Sequence, residues 1–226
     1  MAEAVTISRS NSGWLQPLEQ PALAWLVRRL PAWVTPNHLT ALGFAGAVIT
    51  SAAYALSAWN STWLWVASAG LAVNWYGDSL DGSLARFRKI ERPRFGYFLD
   101  NTIDVIEQFV FSVGIAMSGI VRWDLSFLAL AAFLAISILS FIRGQVCGEF
   151  QLAYGGFGLT ELRVMFLILN VLVFFYPPHP LTQYGITWSY PNVLSLIWTG
   201  LTLITFLVSW SSQLRQLSTE DPPRQR

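Results

Sequence analysis

Apolar residues fall into six long runs, at 38–57, 62–85, 95–119, 124–146, 160–177 and 190–211, separated by short polar or Pro-rich breaks. Each run is near the ~20 residues that carry a helix across a bilayer core. The pattern predicts an all-α integral membrane protein with six transmembrane helices. Ahead of them, Leu23, Leu26, Val27 and Leu30 recur at helical spacing, with Arg28 and Arg29 off that stripe. Pro21 is suited to open this segment and Pro31 to close it. Residues 16–37 therefore predict a short amphipathic interfacial helix and an entry turn lying on the membrane face; a packed juxtamembrane turn is the plainer alternative. Thr35 is placed to cap the first span, Pro36 to fill its first helical position and Asn37 to cap locally, with His38 a surface residue. The expected organisation is a flexible leader at 1–15, the juxtamembrane helix and turn at 16–37, a six-helix transmembrane catalytic domain at 38–212 and a polar tail at 213–226. No signal peptide is expected, because residues 1–20 contain Glu3, Arg9 and Glu19 and lack an apolar core.

Charge gives this layout a sidedness. Lys and Arg collect in cytoplasmic loops, and with the N-terminus inside, only Arg122 of the 14 basic residues falls on the outer side. Both termini and the charged loops are thus expected to face the cytoplasm. Trp59, Trp63, Trp123 and Trp188 stand at the opposite helix ends, where interfacial anchors belong. An apolar share of 54% against 12% charged residues fits the bilayer as the main solvent. The lone Cys147 excludes an internal disulfide and a multi-cysteine metal site. No internal repeat is present, which argues against an inverted-repeat transporter, and no nucleic-acid partner is expected.

Five of the 13 acidic residues, Asp78, Asp81, Asp100, Asp104 and Glu107, lie inside the second and third predicted spans. A charge at mid-span costs about 2.5–3.5 kcal/mol on insertion scales, so such a group requires a cation or a water-filled cavity. Asp78 and Asp81 are spaced i, i+3 and Asp100 and Asp104 i, i+4, so each pair occupies one face of its helix. Counted from the connecting basic loop at 86–94, the pairs match in depth, and four carboxylates can converge below the cytoplasmic surface. No Lys or Arg lies deeper in these two spans, and no His or Cys accompanies the acids. Oxygen ligands alone favour Mg²⁺, Mn²⁺ or Ca²⁺, and two ions would clamp both sides of a phosphoryl transfer. Gly82 and Gly96 permit close approach of a substrate, Ala85 keeps the next turn small, and Arg86 can neutralise phosphate; tight helix packing is the plainer reading of the small residues. Glu107, off this pattern, is expected to matter little. An ion or proton transporter also buries carboxylates, but clustering at one end beside Gly, Ala and Arg disfavours it.

Written out, residues 78–104 read D-S-L-D-G-S-L-A-R, nine residues, then G-Y-F-L-D-N-T-I-D. This resembles the CDP-alcohol phosphatidyltransferase signature D-x-x-D-G-x-x-A-R, eight or nine residues, G-x-x-x-D-x-x-x-D, at every fixed position. The resemblance implies a phospholipid-synthesising enzyme that moves a substituted phosphate from a CDP-alcohol to an acceptor hydroxyl and releases CMP. Asp78, Asp81 and Asp100 would hold Mg²⁺ or Mn²⁺, with two ions expected. Asp104 would be a further ligand or the general base, acting with Asp100 at the reacting centre. Asp81, Gly82, Ala85 and Arg86 would contact the CDP portion. The expected donor is CDP-diacylglycerol; the alternative is a CDP-ethanolamine or CDP-choline type reaction on diacylglycerol, so that one partner is a lipid either way. Arg143 and Arg163, at the ends of the fourth and fifth spans, are candidates for an acceptor phosphate or simply obey the positive-inside rule; Glu149 and Glu161 could pair with them. The stretch 158–163 is similar to a Gly-x-Thr-Glu region in parts of the family. Known members dimerise, and Gly114 and Ser118 on the third span offer a small-residue face for a homodimer.

Overall fold

The computed structural model describes residues 8–10, 13–147, 149–151, 158–179, 181–183 and 186–221. In chain order its elements are β1 (Ser8–Ser10), α1 (Gln16–Val27), α2 (Pro36–Ser57), α3 (Trp63–Arg88), α4 (Pro93–Ser118), α5 (Trp123–Cys147), β2 (Glu149–Gln151), α6 (Leu159–Phe175), β3 (Leu181–Gln183), β4 (Ile186–Trp188) and α7 (Tyr190–Glu220). The architecture is helical, with strands of three residues each. β1 pairs in parallel with β2, and β3 with β4 in antiparallel fashion. The stretch expected as a loose leader is thus held at residues 8–10 by the segment that follows α5.

Each predicted apolar run coincides with one of the helices α2 to α7. Three of these, α2, α5 and α7, are long and apolar enough to cross a membrane. Helices α3 and α4 have 26 residues each but carry the charged positions of the motif, which lowers their hydropathy, and α6 has only 17 residues. Helix α2 begins as its sequence dictates. The Thr35 hydroxyl accepts the His38 N–H at 3.3 Å, and His38 Nδ1 accepts the Thr35 N–H at 3.3 Å, a reciprocal cap that satisfies two donors. His38 is therefore a capping residue.

Two expectations for the N-terminal segment change. Pro21 lies inside α1, while Pro17 takes the first-turn position in which a missing N–H costs nothing. The stripe also faces protein: Leu23 and Val27 are buried with Val34, Leu39, Leu80 and Leu84 in a core joining α1, α2 and α3. The opposite side leaves Leu18 and Trp25 exposed, with the Arg29 guanidinium 3.9 Å from the Trp25 ring centre. Beyond α1, the turn at 30–34 is gripped from α3. Arg88 donates to the carbonyls of Leu30, Pro31, Ala32 and Val34.

Helix α2 is the scaffold, packing extensively against both α3 and α4, which make few close approaches to each other. The α2–α3 contact depends on absent side chains. A Cβ at Gly77 would collide with the backbone of Gly43 and Leu39, so only glycine allows this spacing. Gly114, expected to offer a dimer face, is spent in the same way within the chain: a Cβ there would lie 2.6 Å from Ser51 Cα on α2. Ser118, the other residue of that face, is likewise buried.

Candidate active site

Because α3 and α4 separate around α2, a cavity of about 190 Å³ opens at the end of the bundle where α1, the last turns of α3, the start of α4 and the start of α6 meet. Asp78, Asp81, Gly82, Arg86, Asp100, Asp104 and Arg163 all line it. Asp78, Asp100 and Asp104 each offer a carboxylate oxygen within 4.8 Å of the others. The convergence follows from helical spacing: i, i+4 residues on α4 face a residue on α3 that stands at matching depth.

Asp81 stands slightly apart. Its Oδ2 accepts the Thr40 hydroxyl from α2 at 2.5 Å, and its Oδ1 accepts the Gly82 N–H at 2.5 Å. Hence Asp81 shares the cavity, but its oxygens are directed by α2 and its own helix. Gly82 leaves open space that the Arg86 guanidinium borders, since a Cβ there would lie 3.3 Å from Arg86 Nη1. Gly96 has nothing within 4 Å of a Cβ position, so close helix packing does not explain it. Ala85 is absent from the described lining; its carbonyl accepts the Ile90 N–H at 3.0 Å in the turn that ends α3.

The acids are not without a cation from the protein. Arg163 reaches in from α6, buried, and donates Nη2 to Asp78 Oδ2 at 2.6 Å and Nε to Asn74 Oδ1 at 2.8 Å. Asn74 in turn donates Nδ2 to Glu107 Oε2 at 2.8 Å and to the Gly43 carbonyl at 3.0 Å. Glu107 is therefore part of the buried network beneath the cluster. Arg163 is placed beside Asp78 rather than free at a helix end, whereas Arg143 is not among the described residues lining the cavity. The countercharge comes from α6, outside the two acid-bearing helices, so no local spacing around the acids points to it. Asn74 carried a readable signal: a polar residue one helical turn before Asp78 on the same face.

Glu19 and Glu161 close the far side. The Glu19 carboxylate accepts Trp75 Nε1 at 2.7 Å, Ser79 Oγ at 2.9 Å and Thr160 Oγ1 at 3.1 Å, tying α1 to α3 and α6. Glu161 accepts the Leu15 N–H at 2.8 Å and the Gly158 N–H at 2.9 Å, both from the backbone. Glu149 belongs to β2.

Arg163 and Arg86 bring two positive charges to the cavity against the carboxylates of Asp78, Asp81, Asp100, Asp104 and the underlying Glu107, a surplus that a bound dication can offset. The donor set fits a hard divalent ion: it is all carboxylate, and its spacing is of the order that opposite ligands of one Mg²⁺ or Ca²⁺ show, about 4–5 Å. The charge balance does not distinguish among such ions.

Comparison with known proteins agrees with this reading. Archaetidylinositol phosphate synthase of Pyrococcus horikoshii is 39% identical over 122 residues, covering 54% of this chain and 61% of that protein. Phosphatidylinositol phosphate synthase of Cutibacterium acnes is 33% identical over 108 residues, covering 47% of each. Cholinephosphotransferase 1 of Homo sapiens is 25% identical over 171 residues, covering 73% of this chain and 42% of that protein. The matches thus span about half the length of these relatives. The CDP-alcohol phosphatidyltransferase family model matches residues 33–210, which include all of α2 to α6 and most of α7. On that match and the acid-lined cavity beneath it, the chain belongs to the CDP-alcohol phosphatidyltransferase family.

Proposed function

We propose that this protein is a membrane-embedded, metal-dependent transferase that moves a substituted phosphate from CDP-diacylglycerol to an alcohol, releasing CMP. The observation that carries this reading is the meeting of Asp78, Asp100 and Asp104 within 4.8 Å, in one cavity with Gly82 and Arg86. Asp78, Asp100 and Asp104 would hold the metal, Mg²⁺ or Mn²⁺, and Asp81 would join them. When bound, it supplies charge neutralisation for the pyrophosphate and the departing CMP. Gly82 lets the nucleotide approach the backbone of α3, and Arg86 donates to its phosphate oxygens. Asp104 accepts the proton of the incoming hydroxyl as the new P–O bond forms and the bond to CMP breaks. Arg163, held by Asn74, keeps the Asp78 carboxylate oriented.

The same reading makes α3, α4 and α6 membrane-crossing partners of α2, α5 and α7. At 26 residues, α3 and α4 are about 39 Å long, ample for a bilayer core. The basic residues of the cavity end then face the cytoplasm, and exposed Trp59 and Trp123 mark the other interface. Similarity to cholinephosphotransferase supports a second reading, in which a CDP-amino alcohol donates to diacylglycerol. The deciding experiment offers purified protein CDP-diacylglycerol with a panel of alcohols and, separately, diacylglycerol with CDP-choline or CDP-ethanolamine. Metal-dependent CMP release in the first arm is the expected result. Release only in the second replaces the donor assignment, and release in neither refutes the transferase reading.

A further inference from the structure

Helix α1 is held in two different ways along its length. Its second half is anchored by apolar burial, since Leu23 and Val27 sit in the core with Val34, Leu39, Leu80 and Leu84, and Arg88 grips the turn that follows. Its first half, with the residues just before it, borders the active-site cavity through Gly13, Gln16, Glu19 and Gln20. No residue from 14 to 20 is buried. Two carboxylates fasten this half to the bundle. Glu19 accepts Trp75 Nε1, Ser79 Oγ and Thr160 Oγ1 at 2.7, 2.9 and 3.1 Å, and Glu161 Oε1 accepts the Leu15 N–H at 2.8 Å. Gly13 makes the second contact close, since a Cβ there would lie 2.8 Å from the same Glu161 oxygen. Between the halves stands exposed Pro21. Its ring nitrogen cannot donate to the Pro17 carbonyl one turn earlier, which makes this the point where the helix bends most readily.

The cavity behind this wall measures about 190 Å³, below the roughly 300–1,000 Å³ of small-molecule sites, yet the transfer has to seat a CDP group and an alcohol together. Some wall must therefore move. Helix α3 is fixed against α2 at Gly77 and α4 against α2 at Gly114, where even a Cβ would collide. Helix α6 starts with Glu161, Leu162 and Arg163 buried. The first half of α1 is the wall that remains. We infer that residues 13–20 form a lid on the active-site cavity, hinged at Pro21 and latched shut by Glu19 and Glu161, and that substrate binding displaces it. Opening exchanges the latch hydrogen bonds for bonds to water, while the buried side chains of α1, Leu23 and Val27, stay in place. A latched resting state lowers the apparent affinity for the nucleotide by the fraction of molecules that are open. The lid rests on the transferase reading and adds a moving part to its site.

The test uses the full chain in detergent and two variants that leave the charge of the cavity unchanged. Trp75→Phe combined with Ser79→Ala removes two of the three donors to Glu19 and weakens the latch. Pro21→Ala, at an exposed position outside the cavity lining, restores the missing N–H and stiffens the hinge. Titration with CMP and Mg²⁺ should give a Kd at least about threefold lower than the parent for the first variant and at least about threefold higher for the second. A merely structural role for these residues predicts weaker or equal binding in the first variant and no change in the second, and that result overturns the lid. Hydrogen exchange reads the same motion without nucleotide. Amides in 15–20 should exchange at least about tenfold faster in the latch variant than in the parent, with those in 23–27 unchanged. Equal exchange at 15–20 in the two proteins also overturns the lid. If no variant binds CMP and none releases it from either donor class, the transferase reading falls, and the exchange comparison alone decides whether the lid exists.

Discussion

Arg163 and Asp78 are 85 residues apart in the chain yet meet at 2.6 Å, with Asn74 holding the guanidinium from its other edge at 2.8 Å. A planar, two-edged donor fixed in this way leaves Asp78 Oδ2 little freedom. Removing it leaves the half-buried Asp78 carboxylate, 22% exposed, without its countercharge, which costs less than the about 3–5 kcal/mol of fully buried pairs. Arg163→Gln should therefore unfold at markedly lower denaturant than the parent. Added Mn²⁺ should restore more stability to the variant than to the parent. Equal metal responses would show that Asp78 does not face the cation site.

Asp78→Asn and Asp100→Asn should each reduce CMP release to background while the protein still elutes as a folded species in detergent. Asp104→Asn should be equally severe. Parental rates in all three would remove the metal and base assignments together.

Glu107 sits on Asn74 at 2.8 Å and is buried. Glu107→Gln retains an oxygen that can accept the Asn74 amide and should keep most stability and activity. Glu107→Leu strands one N–H of that amide and should destabilise by about 1–3 kcal/mol, measured by thermal or chemical unfolding.

Glycine substitutions separate packing from substrate approach. Gly77→Ala forces α2 and α3 apart and should cost about 1–3 kcal/mol or more. Gly96→Ala meets no neighbour within 4 Å and should leave stability unchanged or raised by about 0.5–1 kcal/mol. If the substrate approaches Gly96, its activity will fall nonetheless. Undiminished kcat and KM in Gly96→Ala would place the substrate elsewhere.

Chelation by EDTA should abolish turnover, and Mg²⁺ or Mn²⁺ should restore it. If the ion binds the native state alone, saturation at a hundred times Kd raises stability by about 2.7 kcal/mol. A melting temperature indifferent to EDTA and to added metal would argue that the cavity holds no structural dication.

The helix positions and the facing acids were legible because periodicity and i, i+4 spacing are local properties of a sequence. The Asp100 and Asp104 pairing with Asp78 needed only a depth count across one short turn. What could not be read was long-range. Arg163 lies on a separate helix, and its chemistry looked like a sidedness signal. Glu19 and Thr160 are 141 residues apart, and nothing in either neighbourhood announces their contact. Asp81 was readable as a cavity residue, but its hydrogen bond from Thr40 depends on how α2 is laid against α3. The stripe on α1 was detected and its partner mistaken, because a membrane surface and a protein core ask the same spacing of an amphipathic helix.

The grip of Arg88 on the turn at 30–34 bears on how insertion experiments are interpreted. Shuffling basic residues is the usual way to probe which side of a bilayer a loop occupies, and Arg88 would be an obvious choice for removal. Here its loss would also release four carbonyls and loosen the anchoring of α1. A change in protease accessibility for Arg88→Ala would then report local unravelling as well as topology, whereas exposed Arg92 or Arg94 would give the cleaner reading.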